Sequence, residues 1–330
     1  MEWLATLSLG HHEPVCSVCL IKEHCLLASA DQSGLIIITC LRKRKQVCQY
    51  KAGAQVLHLT YYFDDDFCGG FFFLNAQLRT GSLLVFKYYP TRCTITAGES
   101  LELVKELPIA EFSFCRHVIK SGLLVGPRTE TSPVLIDIKT FDYCPFSIFS
   151  DHQEHGALMA VDLHDSRLLA CGYEDGSVII FDITNPVSPT VTTQLKALEE
   201  SVTCLCFIPH NNWLVIGGAV NKIAVWMDDE NLNYSKVFRN NGIATCVYLS
   251  KLIYTGGWDG RVRVFKLPDT DDSNIVEMMS TTDEGVYDTI TCMDIGILQD
   301  AVPGKSLLKK TTRLLVTGSK DCHVNLWSIA

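Results

Sequence analysis

Two clusters in this 330-residue chain hold metal-ligand residue types at close spacing: Cys16-x-x-Cys19 with Cys25, and His152-Gln-Glu-His155. A structural zinc site wants four tetrahedral ligands, commonly from two such Cys pairs or one Cys pair and two histidines. No second Cys-x-x-Cys stands at a workable distance. Cys16 and Cys19 also fall in "VCSVCL", which reads as a strand, and residues three apart on a strand point to opposite faces. Pro303–Ser306, "PGKS", has the tail of a phosphate-binding loop, but Gln299 stands where that loop needs its first glycine. No nucleophile-elbow or dinucleotide fingerprint appears. The expectation is a chain without metal, cofactor, small-molecule substrate or catalytic residues.

Charge narrows the partners. The 28 Lys and Arg against 37 Asp and Glu give a formal charge of −9, which disfavours nucleic acid and acidic lipid. No apolar run approaches the roughly 20 residues of a membrane-spanning helix. "MEWLATLSLGHHEP" has an acidic second residue and no apolar core, so it does not read as a secretory signal. Fifteen cysteines without such a signal are expected as thiols in a reducing compartment, cytoplasmic, nuclear or both. The charge runs "RKRK" (42–45) and "DDD" (64–66) read as solvated hairpin tips. Nuclear import through "RKRK" is an open alternative.

The elements that must position any site are strands. Short Val/Ile/Leu/Phe runs bounded by Gly, Asp and Asn dominate, and no convincing amphipathic helix appears. Four segments look alike: "LLACGYEDGSVIIFDI" (168–183), "WLVIGGAVNKIAVWMD" (213–228), "LIYTGGWDGRVRVFKL" (252–267) and "LLVTGSKDCHVNLWSI" (314–329). Three weaker copies start at 26, 72 and 122. The residue closing the second strand of each pair falls at Thr39, Phe86, Ile136, Phe181, Trp226, Phe265 and Trp327, at intervals of 47, 50, 45, 45, 39 and 62. A strand precedes each pair, including "FSFCRHV" (112–118) in the third unit, and a weaker one follows most. Such a period, with four strands per unit, predicts a seven-bladed β-propeller over residues 1–330 as a single domain. Residues 1–10, with Trp3, Leu4 and Leu7 as anchors, are expected to add the missing outer strand of the last blade and close the ring. The longest interval places a mobile loop at about 296–312, on the face opposite Trp258.

These copies resemble WD repeats, in degenerate form. Over about 157–330 they are similar to the ASTRA-associated protein family, on the stretches "LLACGYEDGSVIIFD", "GGAVNKIAVW", "NNGIATCVYL…TGGWDGRVRVF" and "GSKDCHVNLWS". The resemblance implies a non-catalytic WD-repeat scaffold acting with the co-chaperone machinery that matures phosphatidylinositol-3-kinase-related kinases. The naming dipeptide of such repeats closes a blade's third strand, where this chain has Phe181-Asp182, Trp226-Met227, Phe265-Lys266 and Trp327-Ser328. Trp258-Asp259 therefore lies elsewhere, in the hairpin between second and third strands. In the resembled family the hairpin Asp joins a buried polar network with the strand-end Trp and a Gly-His pair, for which "GHH" (10–12) is the one candidate here.

Asp259, with its equivalents Asp175 and Asp321, reads as a structural turn residue whose carboxylate accepts backbone N–H bonds. Trp258 has mostly polar equivalents, Gln32, Arg79, Thr129, Glu174, Ala219 and Lys320, which are expected to ring one face. One step earlier lie Arg128 and Tyr173. An exposed Trp among Tyr, Arg, Glu and Lys has the composition of an interface anchor, so Trp258, Tyr173, Glu174, Lys320, Arg79 and Arg128 are the candidate protein-binding residues. The competing reading makes Trp258 a cap over its own blade. Two other functions fit the sequence less well. A G-protein β subunit needs a long heptad-patterned N-terminal helix, and Glu2–Leu9 reads as a short strand. A propeller enzyme needs polar groups in the channel, and the innermost strands read "VTCLCF" and "ATCVYL". A generic scaffold in a chromatin-associated complex stays an alternative.

Overall fold

The computed structural model describes residues 1–63, 70–90, 101–144, 153–165, 167–209, 212–227, 231–235, 237–267, 275–280, 288–299 and 311–329. Its strands form seven antiparallel sheets, the blades of a β-propeller. Six have four strands, and the third has three among the described residues. The chain divides into two compact units, residues 1–108 with 282–330, and residues 109–281.

The first unit holds blades one, two and seven. Blade one runs Val15–Ile21, Leu26–Asp31, Leu35–Cys40, Lys45–Lys51; blade two runs Val56–Tyr62, Phe72–Leu78, Ser82–Tyr88, Glu102–Pro108. Blade seven runs Ile290–Gln299, Thr311–Ser319, Val324–Ile329, and takes Glu2–Leu7 as its outer strand. Strand alternation decides the packing, because successive side chains leave opposite faces of a sheet. Val18, Leu20 and Leu27 of blade one pack on Leu314, Val316 and Leu326 of blade seven. Cys19, Ile21, Leu26, Ile36 and Ile38 face Leu74, Phe86 and Tyr88 of blade two. In the outer strand Leu7 is buried and Leu4 packs beside it, but Trp3 is 43% exposed. The anchoring thus rests on Leu4 and Leu7. The strands Ile290–Gln299 and Thr311–Ser319 pair up to Gln299 and Thr311, which narrows the long connection to 300–310, outside the described residues together with "PGKS".

The second unit holds blades three to six. Blade four runs Leu158–His164, Leu168–Tyr173, Ser177–Asp182, Thr190–Lys196. Blade five runs Val202–Phe207, Leu214–Gly218, Ala224–Met227, Asn231–Tyr234; blade six runs Ile243–Leu249, Leu252–Gly257, Val262–Lys266, Val276–Ser280. Blade three has Val118–Lys120, Leu123–Pro127 and Pro133–Asp137. Its first strand is therefore shorter than "FSFCRHV" suggests. Phe112 takes a left-handed φ of 54°, and the Ser113 hydroxyl accepts the Cys115 N–H (3.1 Å), so the chain turns before it extends.

One register runs through all seven blades. Thr39, Phe86, Ile136, Phe181, Trp226, Phe265 and Trp327 pair with Leu27, Leu74, Leu124, Leu169, Leu214, Ile253 and Leu315. All seven residues that close the third strands are buried.

Candidate functional site

The hairpins between second and third strands are held by one repeated backbone bond. Gln32, Arg79, Glu174, Ala219, Trp258 and Lys320 each donate their N–H to the carbonyl just before their blade's first strand: Pro14, Gln55, Ala157, Ser201, Gly242 and Thr289, at 2.9–3.0 Å. Each of these residues therefore projects from a fixed frame. Thr129 in blade three departs from the rule and donates to Ser132 within its own hairpin.

Side-chain bonds fix the turns. Asp175, Asp259 and Asp321 each accept, through Oδ1, the N–H two residues on: Ser177 (2.8 Å), Arg261 (3.3 Å) and His323 (3.0 Å). In blade one the carboxylate comes from Asp31, which accepts Ser33 N–H at 2.9 Å and Leu35 N–H at 3.1 Å. Thr129 does the same for blade three with a hydroxyl, accepting from Ser132 N–H (3.1 Å).

Blades one, four, six and seven complete their networks differently. In blade one His11 Nδ1 lies 2.8 Å from Asp31 and its Nε2 lies 2.8 Å from Ser29 Oγ. Burial pulls the His11 imidazole below its ordinary range, and Asp31 only partly offsets that. In blade four His155 Nδ1 lies 3.0 Å from Asp175. His155 thus belongs to a polar network, a role its place in "HQEH" does not advertise; His152 lies outside the described residues. Blade six uses an arginine. Arg263 Nη2 and Nη1 donate to the two oxygens of Asp259 at 2.6 and 3.1 Å, and Asn240 Nδ2 adds a bond at 3.2 Å. Burial pushes the Asp259 carboxyl up, but these bonds and the Arg263 charge outweigh it and hold it below its ordinary value. In blade seven Trp327 Nε1 donates to Thr317 Oγ1 at 3.2 Å.

The candidate contact residues divide on exposure. Trp258 is 44% exposed. Its other half lies on Gly242, whose φ is +96°; a Cβ there would stand 2.1 Å from the indole Cδ2 and Cε3. The ring therefore combines a cap over its own blade with an open edge. Glu174 and Arg128 are exposed in the same unit. A recess of about 630 Å³ opens beside Glu174, with Thr129, Glu130 and Ser132 in its wall. In the other unit Lys320 is exposed and Arg79 is half-buried. Tyr173 is a correction: it is 0% exposed, with its ring 5.6 Å from that of His155. It ends a second strand, so its side chain turns inward, as do Asp31, Leu78 and Ser319. Arg128 escapes because the blade-three hairpin has a different bond pattern.

The innermost strands do carry acids. Asp162 accepts two bonds from Lys120 Nζ (2.7 and 2.9 Å) and one from Phe207 N–H (2.7 Å), tying blades three, four and five. Asp294 accepts Leu20 N–H at 2.6 Å, tying blade seven to blade one. Both fasten neighbouring blades, since each carboxylate is bonded to the backbone of the next blade's first strand. The thirteen described cysteines are free thiols. Among the described residues no group of three or more His, Cys, Asp or Glu could hold a metal ion.

Comparison with known proteins agrees with this architecture. The model of the "WD domain, G-beta repeat" family matches residues 190–226, the outer strand of blade four and the first three strands of blade five. Two solved structures share the fold over nearly all of both chains. The computationally designed Ika8 protein has a TM-score of 0.62 at 16% identity, covering 100% of each chain. Sqt1 of Saccharomyces cerevisiae has a TM-score of 0.71 at 12% identity, covering 99% of each. A curated relative, guanine nucleotide-binding protein subunit beta-like protein 1 of Mus musculus, is 30% identical over 168 residues, which is 49% of this chain and 44% of that protein. The chain thus carries a WD repeat within a seven-bladed propeller, the fold of protein-interaction scaffolds, and it resembles guanine nucleotide-binding protein subunit beta-like protein 1 over about half its length.

Proposed function

We propose that this propeller is a non-catalytic adaptor, and that it acts with co-chaperones in the maturation and stability of phosphatidylinositol-3-kinase-related kinases, in the cytoplasm, the nucleus or both. The observation that carries the adaptor reading is Trp258: a large aromatic ring, 44% exposed, on a hairpin locked by its own backbone. Rigid aromatic side chains are the commonest interface anchors, because little entropy is lost when a partner covers them. The kinase-maturation reading rests on the family resemblance of residues 157–330. Glu174 and Arg128 extend the contact surface in the same unit, and Lys320 and Arg79 hold equivalent hairpin positions in the other.

The test is affinity purification with mass spectrometry on wild type and Trp258→Ala. Co-chaperones and kinases of this class should co-purify with wild type. Trp258→Ala should lose about 2 kcal/mol or more of binding, as hot-spot aromatics do. It should also melt lower. Roughly half of a Trp side chain, about 100 Å² at about 25 cal/mol per Å², sets an upper figure near 2.5 kcal/mol. Affinity must therefore be compared per folded molecule. Unchanged affinity of the folded fraction would remove Trp258 from the interface, and a partner set without co-chaperones or kinases would remove the maturation role.

A further inference from the structure

We infer that the hairpin end of blade six is built to receive an acidic peptide segment that carries an apolar side chain. The inference rests on Trp258 being a contact surface and names what that surface selects.

The seat of the ring comes first. Gly242 leaves no side chain beneath the indole, and its φ of +96° is one that residues with a Cβ rarely adopt. The Trp258 N–H is bonded to the Gly242 carbonyl at 3.0 Å. Ring and backbone are thus fixed together, and the exposed edge is presented in advance of binding. A preorganised anchor of this kind suits an apolar side chain laid against it.

The charges around it come next. Two exposed arginines, Arg239 and Arg261, belong to the same hairpin end. Arg261 donates its backbone N–H to Asp259, and Asn240, next to Arg239, donates its side-chain amide to that carboxylate. Asp259, the one acid of this hairpin end among the described residues, is already gripped through both oxygens by Arg263. Neither Arg239 nor Arg261 has a carboxylate partner among the described residues. One guanidinium, that of Arg263, thus neutralises the carboxylate, and the described residues of this hairpin end add two exposed arginines and no second acid, in a chain whose formal charge is −9. Among the described residues the local excess is positive, and a guanidinium fork matches a carboxylate in geometry as well as charge. Two exposed arginines, without a carboxylate partner among the described residues, on the hairpin end that carries Trp258 form a small spot. They suit a few carboxylates around an apolar residue, whereas a nucleic-acid backbone or an anionic bilayer would meet repulsion from the rest of the chain.

The full-length protein can be tested by fluorescence anisotropy with two labelled probes. One is a peptide of Asp and Glu around a central Leu-Phe; the other has Lys in place of every acid. The acidic probe should bind and the Lys probe should not. Binding should weaken about tenfold in Arg239→Glu/Arg261→Glu and on raising salt, as expected for exposed charge pairs. Both arginines are exposed, so the double variant should melt like wild type. Absence of binding by the acidic probe, equal binding by the Lys probe, or full binding by the charge-reversed variant would each overturn the inference. If Trp258→Ala loses its protein partners while the charge-reversed variant keeps them, the contact surface stands and its acidic preference falls. If Trp258→Ala keeps its partners at full affinity per folded molecule, the surface itself falls.

Discussion

Replacing Asp259 by Ala should be among the most damaging single changes at any hairpin of this protein, and the reason lies in its partner. Arg263 is 7% exposed and Asp259 10% exposed as side chains, and they meet through two bonds at 2.6 and 3.1 Å. The Arg263 guanidinium also lies 4.8 Å from the Phe238 ring centre, so one side of it rests on an apolar ring. Asp259→Ala leaves that cation buried and unpaired, which costs about 3–5 kcal/mol. For a chain of 330 residues, unfolding with about 2.1 cal/mol/K of entropy per residue, each kcal/mol lowers the melting temperature by about 1.4 °C, so a drop of about 4–7 °C is expected. Thermal unfolding by circular dichroism or calorimetry reads it directly. The double variant Asp259→Ala/Arg263→Met removes both charges and keeps an apolar stem, and it should recover most of the loss, since apolar residues often replace a buried pair at little cost.

The pH dependence follows from the same bonds. The folded Asp259 carboxyl titrates below its unfolded value. Its stabilisation is therefore fully present above about pH 4, the unfolded value, and is lost as pH falls through the lowered folded value. Wild type and Asp259→Ala should converge in acid. A single variant that melts within about 1 °C of wild type, or a double variant no better than the single, would refute the account of Arg263 as a stranded charge.

Three further outcomes can be measured. Trp327→Phe removes the bond to Thr317 and leaves a buried hydroxyl, whereas Trp226 Nε1 is buried with no acceptor among the described residues; Trp327→Phe should therefore cost about 1 kcal/mol more than Trp226→Phe in urea titration. Deleting residues 1–10 uncovers the outer edge of blade seven and removes Leu4, Leu7 and the His11-adjacent Gly10, so melting temperature and solubility should both fall; unchanged values would count against closure by Glu2–Leu7. Burial lowers the His117 imidazole to about 3, so the unfolded chain takes up a proton that the fold excludes as pH drops below about 6.5; this costs about 1.4 kcal/mol at pH 5.5, and His117→Gln should flatten that part of the stability profile.

How much of this was legible follows from which residues repeat. The blades were readable because period-2 apolar strands and a recurring third-strand terminus leave a spacing that survives even when Thr39 or Ile136 replaces the aromatic. The hairpin row from Gln32 to Lys320 was readable because its defining bond is made by backbone, which every residue type supplies. Tyr173 was misread because composition suggests an interface while position decides exposure, and one step along a strand reverses the face. The short first strand of blade three was hidden because an apolar run such as "FSFCRHV" does not reveal a left-handed turn at Phe112.

The polar networks were the least legible part, and the reason is chemical substitution. The task in blades one, four and six is the same: a turn carboxylate needs a side-chain donor beside it. Blade one meets it with His11, blade four with His155, and blade six with Arg263, which arrives from the third strand and not from the loop before the first. A motif search that asks for Gly-His finds only the first of these. A question posed as donor-for-acceptor finds all three, because a buried Asp without a partner would cost more than the turn it stabilises. The substitution in blade six also changes the surface. A neutral histidine leaves the charge of the hairpin acid in place, whereas Arg263 neutralises Asp259 and leaves Arg239 and Arg261 as the exposed charges of this hairpin end among the described residues. The residue that replaces the missing histidine in the fold is thus also the one that neutralises the acid next to Trp258.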